Sequence, residues 1–485
     1  MPAARTTGRV VSVILAAVGL VACGAREGMA AELLVGAATT SITPDRPVAL
    51  SGQMNTRVAR TVDNPVTATA LALESRAGGK LLDQAILVSC DLVYITREVS
   101  EATRAQLRKR LPDFPAHKLV LSATHTHTAP VMEEGIYVIP AGVMAPREYV
   151  AFLAERVAET AAKAWKERQP GSVGWGLGHA VVAQNRRAVL ANGQTVMYGR
   201  TDNPEFRGLE GHSDDGVEVL FFWDREKRLL ATAVNVSCPA QEVEGLSSVN
   251  ADFWHEVRTT LRQKHGKGLC VLAWTGAAGD QSPHLMYRKP AEERMRQLRG
   301  QTRLGEIARR VVRAWEEAYE GASKDIRSDV PLVHKVQMIE LPRRKVTEPE
   351  CREAREAAAA LVKSPELRAQ LVWNRAVVER FEQQQRGPLP PYLMELHVLR
   401  LGDVAIATND FELFTDYGVQ MRARSRALQT FLLQLSGPGT YLPTERAMRG
   451  GGYSAVVQST EVGPAGGMEL VERTVGLINS LWPDR

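Results

Sequence analysis

The sequence predicts a mixed α and β fold, a single large catalytic domain whose mixed β-sheets are flanked by helices. Three observations carry this. Apolar strand-type runs alternate with amphipathic helical stretches along most of the 485 residues. Two apolar runs flank Asp224-Arg-Glu-Lys227 as the arms of a hairpin would. Length alone would allow about three domains, yet no repeat and no long Ser/Gly linker is visible.

Taken in order, the runs beginning at Ala68 and Gln84 read as strands, 97–111 as an amphipathic helix, and the run at Leu119 as the next strand. A second helix covers 148–168. The hairpin pairs 216–223 with 229–236, and 269–274 is another buried strand. A charged, Ala- and Glu-rich stretch over 347–385 reads as a helical insertion of one or two surface helices, closed by Gly387-Pro-Leu-Pro-Pro391. Its charges are expected to form a solvated face.

The N-terminus sets the compartment. Arg5 and Arg9 precede a short apolar run, 10–21, with the anatomy of an export signal over residues 1–22. Leu20-Val-Ala-Cys23 is similar to a bacterial lipobox, which would leave Cys23 as a lipidated anchor and the protein periplasmic or cell-surface. The alternative is ordinary cleavage near Met29-Ala-Ala31 and a secreted protein. A composition of 44% hydrophobic and 24% charged residues suits a globular enzyme, and a net charge of +5 is too weak a bias over this length to suggest nucleic-acid binding. The four cysteines after Cys23 are too scattered for a disulfide framework, with a single bridge in an oxidising compartment as the alternative.

The chemistry concentrates at Ser122-Ala-Thr-His-Thr-His-Thr-Ala-Pro130, where a β-type run delivers two histidines two residues apart. On an extended strand both rings point the same way. One can serve as a metal ligand and its neighbour as a general acid/base; a pair of surface or capping histidines is the competing reading.

Further blocks extend the pattern: Val35-Gly-Ala-Ala-Thr-Thr-Ser-Ile-Thr-Pro44, Asn185-Arg186, Val249-Asn-Ala-Asp252, Gly279-Asp-Gln-Ser-Pro283, Phe411-Glu412-Leu-Phe414, Tyr441-Leu-Pro443 and Gly450-Gly-Gly-Tyr453. In number and order they resemble the neutral/alkaline non-lysosomal ceramidase family, zinc-dependent amidases that remove the acyl chain from ceramide. The resemblance spans about 35–481 and implies a catalytic domain over 32–485, without the C-terminal β-sandwich of well-known members. It implies that His125, Glu412 and Tyr453 ligate Zn2+, and that His127 and Arg186 face the scissile amide. Zinc would activate water and polarise the carbonyl, His127 would shuttle protons and Arg186 would steady the oxyanion. The implied substrate is ceramide or another amide-containing small molecule, and a lipid on Cys23 would provide membrane attachment. Hydrolysis of a different amide or ester, or ligand binding without turnover, are the alternatives.

One departure stands out. Where the family carries its second zinc histidine, this chain reads Asn235-Val-Ser-Cys-Pro-Ala-Gln241, so Cys238 is expected as a thiolate ligand, with a buried structural cysteine as the alternative. Asp91, Asp252 and Asp280 are candidate carboxylates behind the ligands, Asp280 alternatively beside a structural cation. Ser282 matches a serine sometimes viewed as the family's nucleophile, although no sequence feature supplies its base. His255 would substitute for the missing ligand if its helix turned it inward, with the helix surface as its expected place, and His179, His212, His265, His284, His334 and His397 are scattered.

Overall fold

The computed structural model describes residues 31–482. It is built from one unit used three times: three antiparallel strands, a crossover helix, a fourth strand parallel to the third, and a closing helix. In the first unit the strands are Ala31–Ser41, Thr67–Ala77 and Lys80–Cys90. Helix Arg97–Arg110 then leads to Leu119–Ala123, and Pro146–Lys166 closes the unit. The second uses Ser172–His179, Gly216–Trp223, Leu229–Val236, helix Phe253–His265, strand Cys270–Thr275 and helix Arg303–Ala322. The third uses Leu332–Leu341, Tyr392–Leu401, Val404–Thr408, helix Thr415–Arg424, strand Gln429–Leu433 and helix Pro464–Asn479. A small edge strand, Gln169–Pro170, joins the first sheet.

Each sheet is buried on both faces, which is why its inner strands read as continuous apolar runs. The outer faces pack on the unit's own helices. Arg303–Ala322, capped by Thr302 on the amide of Gly305, buries Ile307, Val311, Ala314, Trp315 and Ala318 on one stripe. Helix and strand lie in direct contact: a Cβ at Gly36 would stand 2.0 Å from the carbonyl oxygen of Ala164, and one at Gly178 2.0 Å from that of Ala314. The inner faces meet in one core that draws Leu33, Leu71 and Leu87 from the first sheet, Leu220, Leu272 and Trp274 from the second, and Leu399, Ile406 and Phe431 from the third. Polar side chains stitch the sheets across this core. The Ser89 hydroxyl donates to Ala273 O at 2.6 Å and the Asn235 amide to Leu432 O at 2.9 Å.

The predicted strands and helices are all present, with ends shifted by a few residues. The repeat is a correction, since only the order of elements recurs and the loops between them differ in length throughout. The insertion is two helices, Glu348–Leu361 and Arg368–Arg386. It is more than a solvated face, because Ala369, Val372 and Trp373 line a cavity described below. Among the described residues no helix is long and apolar enough to cross a membrane. Residues 1–22 and Cys23 lie outside the described residues.

Candidate active site

The third and fourth strands of every unit end on the same side of the molecule, and the loops after them build the site. The first unit supplies Asp91 and Val93 after Lys80–Cys90, and His125 and His127 after Leu119–Ala123. From the second come Cys238 to Glu244 after Leu229–Val236, and Asp280 after Cys270–Thr275. The third gives Glu412 after Val404–Thr408 and Tyr441 after Gln429–Leu433. Loops at the carboxyl ends of parallel strands can vary while the sheets hold their positions.

The two histidines are not on the strand, which ends at Ala123. His125 has a left-handed backbone with φ +67°, a conformation a histidine adopts at some energetic cost. That turn brings the two rings edge to face, with Nε2 atoms 3.3 Å apart. His125 Nδ1 lies 2.7 Å from the Val93 carbonyl oxygen, so it is the donor and a neutral ring keeps Nε2 bare. Nε2 faces Glu412 Oε2 at 3.3 Å. Burial pushes the Glu412 carboxyl up, but His125, Arg186 and Tyr441 together hold it below the usual carboxylate range.

Arg186 is the hub. Its Nη1 donates to Tyr198 and to Gln241 Oε1, each at 3.1 Å, and its Nη2 donates to Gly279 O and Tyr441 Oη, each at 3.0 Å. Nη2 is also 3.6 Å from Glu412 Oε2. Burial opposes its charge, yet Tyr441, Tyr198 and Glu412 raise the guanidinium well above its ordinary value. Both amino groups of Arg186 are filled by protein acceptors, and Nε is left buried without a partner. Arg186 supplies a fixed positive charge and orders its neighbours.

Gln241, not Cys238, reaches the histidines. Tight turns from Cys238 N to Val236 O and from Gln241 N to Pro239 O reverse the chain. The Cys238 thiol points toward Val182 O and Pro239 O, within the apolar core that holds Val182, Ala183 and Trp254. Burial raises its pKa well above the ordinary thiol value, with Asp252 and Glu242 adding to the shift. A thiol so placed is a small core side chain, and the expected zinc thiolate is corrected accordingly.

The supporting residues fall into place. Asp91 is fully buried, chelates Arg258 at 2.6 and 2.9 Å and accepts from Thr124, the residue before His125. Asp280 accepts from Asn185 at 2.9 Å and from the Thr415 amide at 2.8 Å, joining the segment of Arg186 to that of Glu412. Burial raises its pKa. Asp252 caps helix Phe253–His265 and accepts from Val243 N, and burial pushes its pKa up to about 7. Ser282 is buried, and its hydroxyl meets Tyr198 Oη at 3.0 Å and the His284 amide at 3.2 Å. Neither partner is a base, so the geometry offers no activation of Ser282 as a nucleophile. His255 lies on the helix that Asp252 caps.

Two cavities flank the cluster. One of about 330 Å³ is lined by Tyr94, Tyr137, Trp373, Glu412, Tyr441 and Tyr453. Tyr453 stacks on Trp373 at 5.7 Å, and its phenol is raised by burial and then by Glu412. The other, about 860 Å³, is lined by Tyr198, Glu242, Glu244, His284 and the basic side chains Lys289, Arg296 and Arg303. Glu244, His284 and Tyr198 carry no local sequence signal, since they gather only when the second unit folds.

As a zinc site, this donor set is spare. The 3.3 Å between His125 Nε2 and Glu412 Oε2 is the separation expected, roughly 3.3 Å, of two ligands held at ~2.0–2.1 Å on a tetrahedral ion. Among the described residues no three His, Cys, Asp or Glu side chains gather into a metal-binding group. The Tyr453 phenol, expected from the sequence as the third ligand, lines the same cavity as Glu412. One imidazole, one carboxylate and one phenol oxygen form a set that zinc accepts.

No family model matches the chain, and no curated protein matches it in sequence. Solved structures do. Neutral ceramidase from Pseudomonas aeruginosa is similar with a TM-score of 0.69 at 18% identity, covering 94% of this chain and 75% of that one. A ceramidase complexed with C2 gives 0.66 at 16% identity, with 93% and 75% covered. The chain has the neutral ceramidase fold.

Proposed function

We propose that this protein is an exported, zinc-dependent hydrolase of the neutral ceramidase type, which cleaves the amide bond of ceramide or a related N-acyl compound. The observation that carries the reading is the buried, bare Nε2 of His125 facing the ionised Glu412 beneath an always-charged arginine. An imidazole nitrogen and a carboxylate oxygen converge there, the pair of donors a cation takes. Bound between His125, Glu412 and Tyr453, zinc would supply a Lewis acid for the carbonyl and acidify water. The chain's own residues do the rest. His127 Nε2 accepts the proton from the attacking water and returns it to the leaving amine. The Arg186 charge lowers the cost of negative charge on the carbonyl oxygen. The aromatic cavity and the large polar cavity receive the two sides of the amide. Export through residues 1–22, with Cys23 as lipid anchor, is part of the same proposal.

One observation favours a second reading, ligand binding without turnover. Gln241 already donates to His127 Nε2, and Arg186 has both amino groups filled, so the network is satisfied before any substrate arrives. Metal analysis together with an untargeted screen of N-acyl compounds separates the readings. The hydrolase holds about one zinc per chain and releases amine, whereas the binding protein retains ligands intact.

A further inference from the structure

The proton on His127 can be located from its neighbours. Arg186 has only donors, so the Gln241 atom 3.1 Å from its Nη1 is the carbonyl oxygen, and the amide nitrogen faces His127 Nε2 at 2.8 Å. That nitrogen must donate. His127 Nε2 is therefore an acceptor, and the proton of the neutral ring sits on Nδ1. His127 is 8% exposed, and its Nδ1 has no hydrogen-bond partner within ideal geometry. It faces Glu244 Oε2 at 3.4 Å.

Glu244 is held for this task from two sides. Arg57 donates to the backbone oxygens of both Glu244 and His127, which locks the loop to the histidine it faces. The other carboxylate oxygen lies 3.3 Å from His284 Nε2. His284 in turn faces Glu242 at 3.9 Å, Glu242 meets Arg303 at 3.3 Å, and Tyr198 packs edge-on against the imidazole. From Glu244 to Arg303 this file lines the 860 Å³ cavity.

We propose that Glu244 is the positioning residue of His127, a carboxylate that holds Nδ1 and, with the Gln241 amide on Nε2, fixes the tautomer and the orientation of the ring. In function it rests on the hydrolase reading above; as a statement about His127 it does not. A carboxylate on the far nitrogen is how other catalytic imidazoles are held.

The test has two arms. In 15N-histidine-labelled protein, with the His127→Ala variant to assign the signal, the wild type should show a His127 proton on Nδ1 shifted far downfield by the carboxylate. Glu244→Gln should move it upfield, and Glu244→Asp should restore part of the shift. A His127 proton on Nε2, or a resonance unchanged in Glu244→Gln, overturns the proposal whether or not the protein is an enzyme. Where amine release is measurable, Glu244→Gln should lower kcat about 100-fold with KM and zinc content little changed, and Glu244→Asp should recover part of it. Glu320→Gln, which removes an exposed carboxylate that lines neither cavity, should match wild type. A loss confined to KM, or an equal loss in Glu320→Gln, would overturn the positioning role. Wild-type protein that hydrolyses nothing counts against the hydrolase reading and leaves the resonance arm to decide on Glu244.

Discussion

Nε2 of His125 and Oε2 of Glu412 stand 3.3 Å apart, though 287 positions separate them in the chain and they belong to the first and third of three like units. Folding brings them together because every unit ends its inner strands on the same side. The first prediction separates the two histidines. His125→Ala should lose both bound zinc and turnover, and Glu412→Gln should weaken zinc binding. His127→Ala should keep the metal and lower kcat by about 10²–10⁴-fold. Equilibrium metal binding with steady-state kinetics checks this; loss of zinc from His127→Ala would merge the two roles.

Cys238 gives the second prediction. Its thiol packs against Val182 and Pro239, so Cys238→Ala should leave metal content and turnover as in wild type and lower stability by ~1 kcal/mol, the scale of a small core truncation. X-ray absorption of the zinc-loaded protein should show nitrogen and oxygen only. A sulfur scatterer near ~2.3 Å would put the thiolate back in the site.

Arg186→Lys is the third. A lysine cannot bridge Gly279, Tyr441, Tyr198 and Gln241 at once, so the substitution keeps the charge and breaks the hub. It should lower kcat/KM by about 10²-fold or more and destabilise the fold by ~2–4 kcal/mol, since it leaves buried acceptors unpaired. Near-native kinetics with near-native melting would show that charge alone suffices.

The fourth concerns pH and lies away from the site. Glu306 is buried among Arg299, Arg309 and Arg310, and its bonds to Arg309, then Arg310, depress its pKa to about 2. A depressed carboxylate stabilises the fold fully above its unfolded pKa of ~4.3. The contribution is lost as pH falls toward 2, where folded and unfolded states are both protonated. Glu306→Gln should cost ~1–3 kcal/mol at pH 7 and close most of that gap with wild type between pH 4 and 2. Parallel denaturant curves check it, and a gap independent of pH would contradict it.

Much of the fold was legible in sequence because each strand and helix is decided locally: apolar runs buried on both faces, capped amphipathic helices, a charged hairpin turn. The threefold repeat was not, because it lives in the order of elements while the side chains diverge. Motif reading singled out His125, His127, Arg186 and Glu412, which stand beside their elements' ends and which the fold gathers into one cluster. It misplaced Cys238, since the two tight turns after Val236 swing the thiol into the core and carry Gln241 to the histidines. It passed over Glu244 and His284, because neither is adjacent in sequence to anything it touches. Trp373 was hidden in a helix whose composition announced only charge.

The most direct test of the central claim is free-amine release from a panel of ceramides and other N-acyl compounds, measured on purified protein as isolated, after chelation, and after zinc is restored. The account predicts release that disappears with the metal and returns with zinc. Tight binding of such compounds with no amine released at any zinc loading would contradict it.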